Sequence, residues 1–426
     1  MITKFEKINK INGELYLPGD KSISHRSVMF ASMAEGKSII RNLSFGEDVK
    51  STSRCFKELG VEINHFENHT EVIGKGFKGF TKPKSELDCG NSGTTVRLIS
   101  GILSPQNFES ILIGDESLSK RPMKRVIEPL SLMGVSINSN NGFLPLEINP
   151  VECIKPISYE LQVASAQVKS ALLLCGLHSE ETSFIIEAKE TRDHTERMLG
   201  LPVKVENGKR IIESSKKYYP HAKEYFVPSD ISTAAFFMIL TLLSKDSELL
   251  IKNVSLNPSR TGIITILQKM NGNIEVVNQQ SSSGEDYGDL LIKSSDLVNI
   301  EIPSEIIPNI IDEIPILAIA GIFAEGKFKI SEADELRVKE SDRIKSMVYN
   351  LQLLGINVKE TTDGFEFENN RTDFEIKAFE SFDDHRIAMA FAVFSLLNKN
   401  GGEVNNFDCA KISNPNFMSQ LNSIIK

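Results

Sequence analysis

Cysteine is scarce in this chain and carries no pattern: Cys55, Cys89, Cys153, Cys175 and Cys409 are scattered, odd in number and never spaced as CxxC. That argues for reduced thiols rather than a disulfide framework. The seven histidines form no HExxH or other ligand cluster, so no metal site is expected. An excess of positive charge is missing too. With 48 basic and 57 acidic residues the net charge is −9, which speaks against general nucleic-acid or anionic-membrane binding, so any anion site has to be local. Long hydrophobic runs are absent: the greasiest stretches, Ala234 to Leu243 and Ile314 to Phe323, are too short to span a bilayer and read as buried helices. The opening residues, Met1 to Lys7, lack the apolar core of a secretory signal, and a cytoplasmic protein is expected. Gly36-Lys37-Ser38 does not end a phosphate-binding P-loop, because the first glycine of that motif would fall on Ala31, so an NTPase is rejected.

What is present is an ordinary soluble composition, 40% hydrophobic and 25% charged, over 426 residues, enough for about two domains. The chain is organised around Leu17-Pro18-Gly19-Asp20-Lys21-Ser22-Ile23-Ser24-His25-Arg26, where a strand ends, the chain turns and a helix begins. Lys21 and Arg26 add full charges, and Ser22 and Ser24 add donors, to the partial positive charge of a helix start. A phosphate or carboxylate site and a plain solvated N-cap both fit these ten residues.

Self-similarity decides how the rest is arranged. Six times a polar or glycine-containing turn opens an apolar helix: at Asp20-Lys21-Ser22, Gly90 to Thr94, Ala164 to Gln167, Pro228-Ser229-Asp230, Ile311-Asp312-Glu313 and Asp383 to Arg386. The spacing is roughly 65 to 80 residues. Each turn is followed by a short β-branched run, then by a second, amphipathic helix that stops at a glycine before another strand, as at Gly60, Gly134, Gly200, Gly272 and Gly355. Six units with two helices and about four strands each divide most simply as three per domain. The strand before Lys21 would otherwise be an unprotected edge, so it is expected to pair into the second domain. One domain is therefore expected over residues 20–228, with units one to three. The other is expected over 1–19 and 229–426, with units four to six. The serine-rich Gln279 to Gly288 reads as a flexible surface loop.

The helix starts share a chemistry. Units one to three supply Lys21 and Arg26; Gly93, Thr94, Arg97 and Arg121; and Ser165, Gln167 and Arg192. Units five and six supply Asp312, the run Arg337-Val338-Lys339-Glu340-Ser341-Asp342-Arg343, then His385, Arg386 and Lys411. If the turns face one cleft, that many cations require anionic ligand groups, and arginine suits carboxylates and phosphates. Asp312 and Glu340 among cations could stay ionised and take a proton from a hydroxyl. Asp312 also reads as a helix N-cap, and the Arg337 to Arg343 run as a solvated face with local partners.

Taken together, Lys21-Ser22-x-x-x-Arg26, Gly90-Asn91-Ser92-Gly93-Thr94-Thr95-x-Arg97, Lys120-Arg121-Pro122-Met123, Ser165-Ala166-Gln167, Arg337 to Arg343, Asp384-His385-Arg386 and Ala410-Lys411 resemble the 5-enolpyruvylshikimate-3-phosphate synthase family, in order and over the whole chain. The resemblance implies a mixed α/β (α+β) fold of two similar domains, each three βαβαββ units, with the active site in the interdomain cleft. It implies transfer of the enolpyruvyl group of phosphoenolpyruvate to the 5-hydroxyl of shikimate 3-phosphate, releasing phosphate, on the route to chorismate and the aromatic amino acids. No cofactor, metal, nucleic acid or membrane partner is implied, and a monomer is expected. By position, Lys21, Ser22, Arg26, Ser165, Ala166, Gln167, Arg192, Asp312 and Lys339 would bind shikimate 3-phosphate. Lys21, Gly93, Arg121, Gln167, Arg343, Arg386 and Lys411 would hold phosphoenolpyruvate, a site for which glyphosate would compete. Asp312 would accept the 5-hydroxyl proton, and Glu340, with Lys21 nearby, would manage protonation of the methylene carbon.

Some positions depart from the family's enteric pattern. Ala166 stands where a second serine is common, which leaves only a backbone contact there. Glu335 stands where an asparagine often binds the ring, Thr191-Arg192-Asp193-His194 replaces Ser-Lys-Pro-Tyr, so that Arg192 would take over part of the phosphate contact, and Leu98 replaces a frequent proline. The sister enzymes that use a UDP-linked N-acetylglucosamine have asparagine after the first lysine and a reactive loop cysteine; here Ser22 follows Lys21, and Ser117 to Lys124 holds no cysteine. A non-catalytic anion-binding protein would have no use for Asp312 and Glu340.

Overall fold

Periodicity and capping chemistry account for the elements of this structure, a computed structural model that describes residues 2–369, 371 and 373–426. The chain divides into two compact units: Gly19–Pro228 with Ser281–Glu285, and the chain up to Pro18 with Ser229–Gln280 and Asp286–Lys426. Two strands, β1 (Ile2–Phe5) and β2 (Asn12–Tyr16), come first. The first repeat follows with α1 (Lys21–Met33), β3 (Glu35–Arg41), α2 (Glu47–Glu58), β4 (Glu62–His65) and β5 (Thr70–Lys75). The second holds β6 (Leu87–Asp88), α3 (Gly93–Leu103), β7 (Ser110–Ile113), α4 (Glu116–Ser119), α5 (Lys124–Leu132), β8 (Ser136–Asn140) and β9 (Phe143–Asn149). The third holds β10 (Ser158–Glu160), α6 (Ala166–Gly176), β11 (Ser183–Glu187), α7 (His194–Leu199), β12 (Val203–Glu206) and β13 (Lys209–Ser214), and β14 (Glu224–Phe226) closes the unit.

The fourth repeat runs α8 (Ile231–Leu243), β15 (Glu248–Ser255), α9 (Gly262–Lys269), β16 (Asn273–Ser282) and β17 (Glu285–Lys293). The fifth has α10 (Ile307–Ile310), α11 (Ile314–Phe323), β18 (Lys327–Ile330), α12 (Arg343–Leu353), β19 (Val358–Thr361) and β20 (Gly364–Glu368). The sixth has β21 (Ala378–Glu380), α13 (His385–Leu397), β22 (Gly402–Asn405) and α14 (Phe417–Ile424).

Among the described residues each unit carries three small sheets. In the first unit they are ordered β14-β3-β5-β4, β6-β7-β9-β8 and β10-β11-β13-β12, each opening on a parallel pair and continuing antiparallel. The other unit has β16-β17-β15-β2, β18-β20-β19 and β1-β22-β21. Here the N-terminal chain completes two sheets: β2 runs parallel to β15, pairing Leu15 with Ile251, and β1 runs antiparallel to β22. Left alone, either strand would offer a bare edge.

The first helix of each repeat, α1, α3, α6, α8, α11 and α13, is buried along most of its length, as expected of helices that are apolar nearly all round. Five of the six are capped by the polar residue at their turn: Asp20, Ser92, Ser165, Asp230 and Asp384 each accept a backbone N–H of the first helical turn. α3 and α6 pack so closely that a β-carbon on Gly101 would lie 2.1 Å from the Ala171 carbonyl oxygen. The second helices stop in left-handed residues at Gly60, Gly134, Gly200 and Gly355, but in the fourth repeat Asn271, not Gly272, takes the positive φ.

One expectation fails. Gln279 to Gly288 is not a loose loop but the tip of the β16–β17 hairpin, with Ser283 at φ 52° and Gly284 at φ 84° in the paired left-handed conformation that joins tightly twisted strands. Glu285, 1% exposed, is bound to His194. Among the described residues no single helix is long and apolar enough to cross a membrane.

Candidate active site

In the unit built on Gly19–Pro228, the candidate residues come from the starts of α1, α3 and α6. Asp20 caps α1 by accepting the Ile23 N–H at 2.9 Å, which sets Lys21 in the first turn with its ammonium 3.0 Å from Asp48 at the start of α2. One turn on, Arg26 is buried. Its Nε donates to Thr195 Oγ1 and its Nη2 to Ser170 Oγ, both at 2.8 Å, while Nη1 donates to the Ser22 carbonyl at 3.0 Å. Burial lowers the Arg26 pKa to about 10 against the pull of Glu196, Glu285 and Asp20, with the half-buried Arg192 lowering it further, so the guanidinium stays charged at neutral pH. Arg26 and Arg192 thus form a pair of neighbouring cations.

Ser165 caps α6 by accepting the Val168 N–H, which leaves Ala166 in the first turn with only its backbone to offer. Gln167 then links two repeats: its Oε1 accepts from Arg97 Nη1 at 2.7 Å and its Nε2 donates to Thr94 Oγ1 at 3.1 Å. Gly93 lies beside this link. A β-carbon there would stand 2.8 Å from Arg97 Nη1 and 3.4 Å from Arg121 Nη1, so the space over the α3 start is bounded by two guanidinium groups. Arg121 is oriented by the Asn91 side-chain oxygen at 2.8 Å, and α3 continues regularly through the buried Leu98. Gly93, Arg121 and Gln167 are therefore brought together. Arg97, singled out in the motif but given no role, is what connects them; its place four residues after Gly93 was the available signal.

In the other unit, the Arg337 to Arg343 run breaks into parts with different duties. Arg337 is held by Asp342 at 3.0 Å and Glu360 at 2.9 Å and by the Thr361 and Thr362 carbonyls, a structural clamp. Asp342 caps α12 by accepting the Lys345 N–H. Arg343, 1% exposed, is surrounded by three carboxylates: Asp384 at 2.8 Å, Glu340 at 2.6 Å and Asp312 at 3.2 Å. Burial works against its charge, but Asp384, Glu340 and Asp312 outweigh that and hold its pKa above the ordinary arginine value. For the wholly buried Asp384, burial works against ionisation while Arg343 favours it, and the net effect is a pKa below the usual carboxylate range. Asp384 also caps α13 through the Arg386 N–H at 2.9 Å.

Asp312 caps no helix: α11 begins at Ile314 without a side-chain cap. Its carboxylate instead lies among Arg343, Lys339 at 4.0 Å and Arg386 at 3.9 Å, and Arg386 Nη1 also donates to its carbonyl at 3.0 Å. Asp312, Lys339, Glu340, Arg343 and Arg386 thus form one cluster. Lys411 is an exposed residue of the partly buried helical turn Phe407–Ile412, its ammonium 2.6 Å from Asp408. Among the described residues no group of three or more His, Cys, Asp or Glu side chains is placed to hold a metal ion.

Comparison with known proteins finds similarity over nearly the whole chain. Residues 5–421 match the family model described as EPSP synthase (3-phosphoshikimate 1-carboxyvinyltransferase). A 3-phosphoshikimate 1-carboxyvinyltransferase of Petrotoga mobilis is 46% identical over 96% of this chain and 95% of its own. One of Bacillus subtilis is 43% identical over 99% of both. An EPSP synthase structure from Acinetobacter baumannii superposes with a TM-score of 0.89 at 39% identity, covering 100% of this chain and 98% of its own. The enolpyruvyl transferase NikO of Streptomyces tendae shares the fold at a TM-score of 0.76 and 14% identity, over 99% of this chain and 97% of its own.

Proposed function

The chain belongs to the EPSP synthase family, and from that premise we propose that it transfers the enolpyruvyl group of phosphoenolpyruvate to the 5-hydroxyl of shikimate 3-phosphate and releases inorganic phosphate. Ser165, the Ala166 backbone, Ser22, Arg26 and Arg192 would hold the sugar-like substrate and its phosphate, with Gln167 and Lys339 beside its ring. Lys21, the α3 start at Gly93, Arg121, Gln167, Arg343, Arg386 and Lys411 would take the phosphate and carboxylate of phosphoenolpyruvate. Asp312 would accept the hydroxyl proton as the oxygen attacks C2. Glu340, with Lys21, would give a proton to C3 in the addition and remove one from it as phosphate leaves, and the proton taken from the hydroxyl would pass from Asp312 to the departing phosphate, so that proton and phosphate balances both close.

The observation that carries this reading is the unequal treatment of the three carboxylates around Arg343. Asp384 is 0% exposed and committed to structure, whereas Asp312 and Glu340 are 12% and 25% exposed and open to a ligand. A site that only bound anions would gain nothing from two accessible acids beside its cations. We take the enzyme to act as a monomer in the cytoplasm, where its free thiols suit a reducing compartment. Phosphate release from phosphoenolpyruvate, assayed with shikimate 3-phosphate and separately with UDP-N-acetylglucosamine, tests the proposal. Release with the first alone is expected; release with the second, or with neither, overturns it.

A further inference from the structure

Behind the two anion-binding helix starts of α1 and α3 lies a line of buried polar side chains to which the reaction assigns nothing. His25, Thr52 and Thr95 are each 0% exposed and Ser92 is 1% exposed. His25 Nδ1 is 2.6 Å from Thr52 Oγ1, Thr52 Oγ1 is 2.7 Å from Thr95 Oγ1, and Thr95 Oγ1 is 2.7 Å from Ser92 Oγ. The line crosses from α1 through α2 to the cap of α3. Apolar residues would pack such a place without the cost of desolvating four polar groups, so the hydrogen bonds are there to set geometry.

The direction of the bonds follows from counting protons. Ser92 Oγ accepts both the Thr95 N–H and the Thr95 hydroxyl, which leaves Thr52 to donate to Thr95 and His25 Nδ1–H to donate to Thr52. The histidine is then the neutral Nδ1–H tautomer, and its buried Nε2 has no partner. Burial accordingly lowers its pKa to about 3, against Asp48 and with Lys21 and Arg26. A group that stays neutral cannot exchange protons with substrate at working pH; its part is to hold position.

Thr95 is the branch point. Its hydroxyl serves the Ser92 cap, one residue before Gly93, and lies 3.5 Å from the carbonyl of Asp48, whose carboxylate holds Lys21. We propose that His25, Thr52, Thr95 and Ser92 are positioning residues that lock the α1 start, with Lys21, to the α3 start, with Gly93, so that both meet one anion at a fixed separation. The proposal rests on the phosphoenolpyruvate reading above. It assigns specificity to the spacing of two backbone elements rather than to another side chain touching the ligand.

The test compares Thr52→Val, which keeps shape but removes the hydroxyl, with Thr52→Ser, which keeps the hydroxyl. Valine is expected to raise KM and the calorimetric Kd for phosphoenolpyruvate by about tenfold, to change kcat by less than about threefold, and to leave KM for shikimate 3-phosphate less affected; serine restores wild-type values. Wild-type turnover with an unmoved KM and Kd in Thr52→Val, even if it melts earlier, reduces the line to packing and overturns the inference while the functional reading stands. Absent wild-type turnover with a Kd that valine weakens does the reverse. If the valine protein does not fold, the imidazole nitrogen resonances of wild-type His25 decide: a shift on adding phosphoenolpyruvate is expected, and unmoved resonances overturn the proposal.

Discussion

Two aspartates touch Arg343, and they differ in exposure. Asp312→Asn keeps the size of the side chain and removes the proposed base, so kcat is expected to fall by about 10²- to 10⁴-fold with substrate affinity largely kept, as steady-state kinetics and direct binding would report. Asp384→Asn weakens the partner of a buried guanidinium, and urea denaturation is expected to show a loss of about 3 kcal/mol. A stable Asp384→Asn protein, or an active Asp312→Asn protein, would reverse those assignments. At Gly93 an added methyl would press on the ends of Arg97 and Arg121. Gly93→Ala is therefore expected to raise KM for phosphoenolpyruvate several-fold and the inhibition constant of glyphosate, the longer ligand, by more; equal changes would mean that Gly93 does not border the inhibitor. That Gly93 and Asp312 stand at helix-opening turns was legible in the sequence. The different exposure of Asp312 and Asp384 was not, because these carboxylates lie 31 and 41 positions from Arg343 and only the folded chain shows which of them is buried.

Helix starts were the most readable elements, since an N-cap bonds within three residues of itself and its signature is local. The β16–β17 hairpin was misread for the same reason. Serines and a glycine mark a turn, but what this one is bonded to lies far away: Glu285 meets His194, and Ser283 Oγ donates to the Glu224 carbonyl. Gly284 combines φ 84° with a position where a β-carbon would come within 2.2 Å of the Arg197 carbonyl oxygen. Gly284→Ala is expected to lower stability by about 1–3 kcal/mol, with the hairpin tip and α7 losing amide-exchange protection first. Unchanged protection would show that the tip is as free as the serine-rich sequence suggested.

For the molecule as a whole, two buried histidines of one unit bear on acid sensitivity. His25 and His178 lie in the Gly19–Pro228 unit, and burial lowers their pKa values to about 3 and about 4 from 6.5. Between those values the unfolded chain binds protons that the folded chain refuses. Their contribution is therefore complete above about pH 6.5 and shrinks as pH falls toward the folded values, by about 2 kcal/mol for each histidine between pH 7 and pH 5. The urea midpoint should drop over that interval, and His178→Phe, which keeps the ring stacked near Phe77 and Tyr219, should reduce the drop. An equal drop in the variant would remove His178 from the balance. By itself the sequence determined the six repeats, the caps that open their helices and the residue types of an anion-handling site, because hydrogen bonds within a turn and the periodicity of apolar side chains are properties of neighbours. Only the tertiary structure decided which carboxylates are buried, how Arg97 joins Gln167 across 70 positions, and that His25 meets Thr52. Those depend on desolvation and on contacts between distant segments, which exist only once the chain has folded.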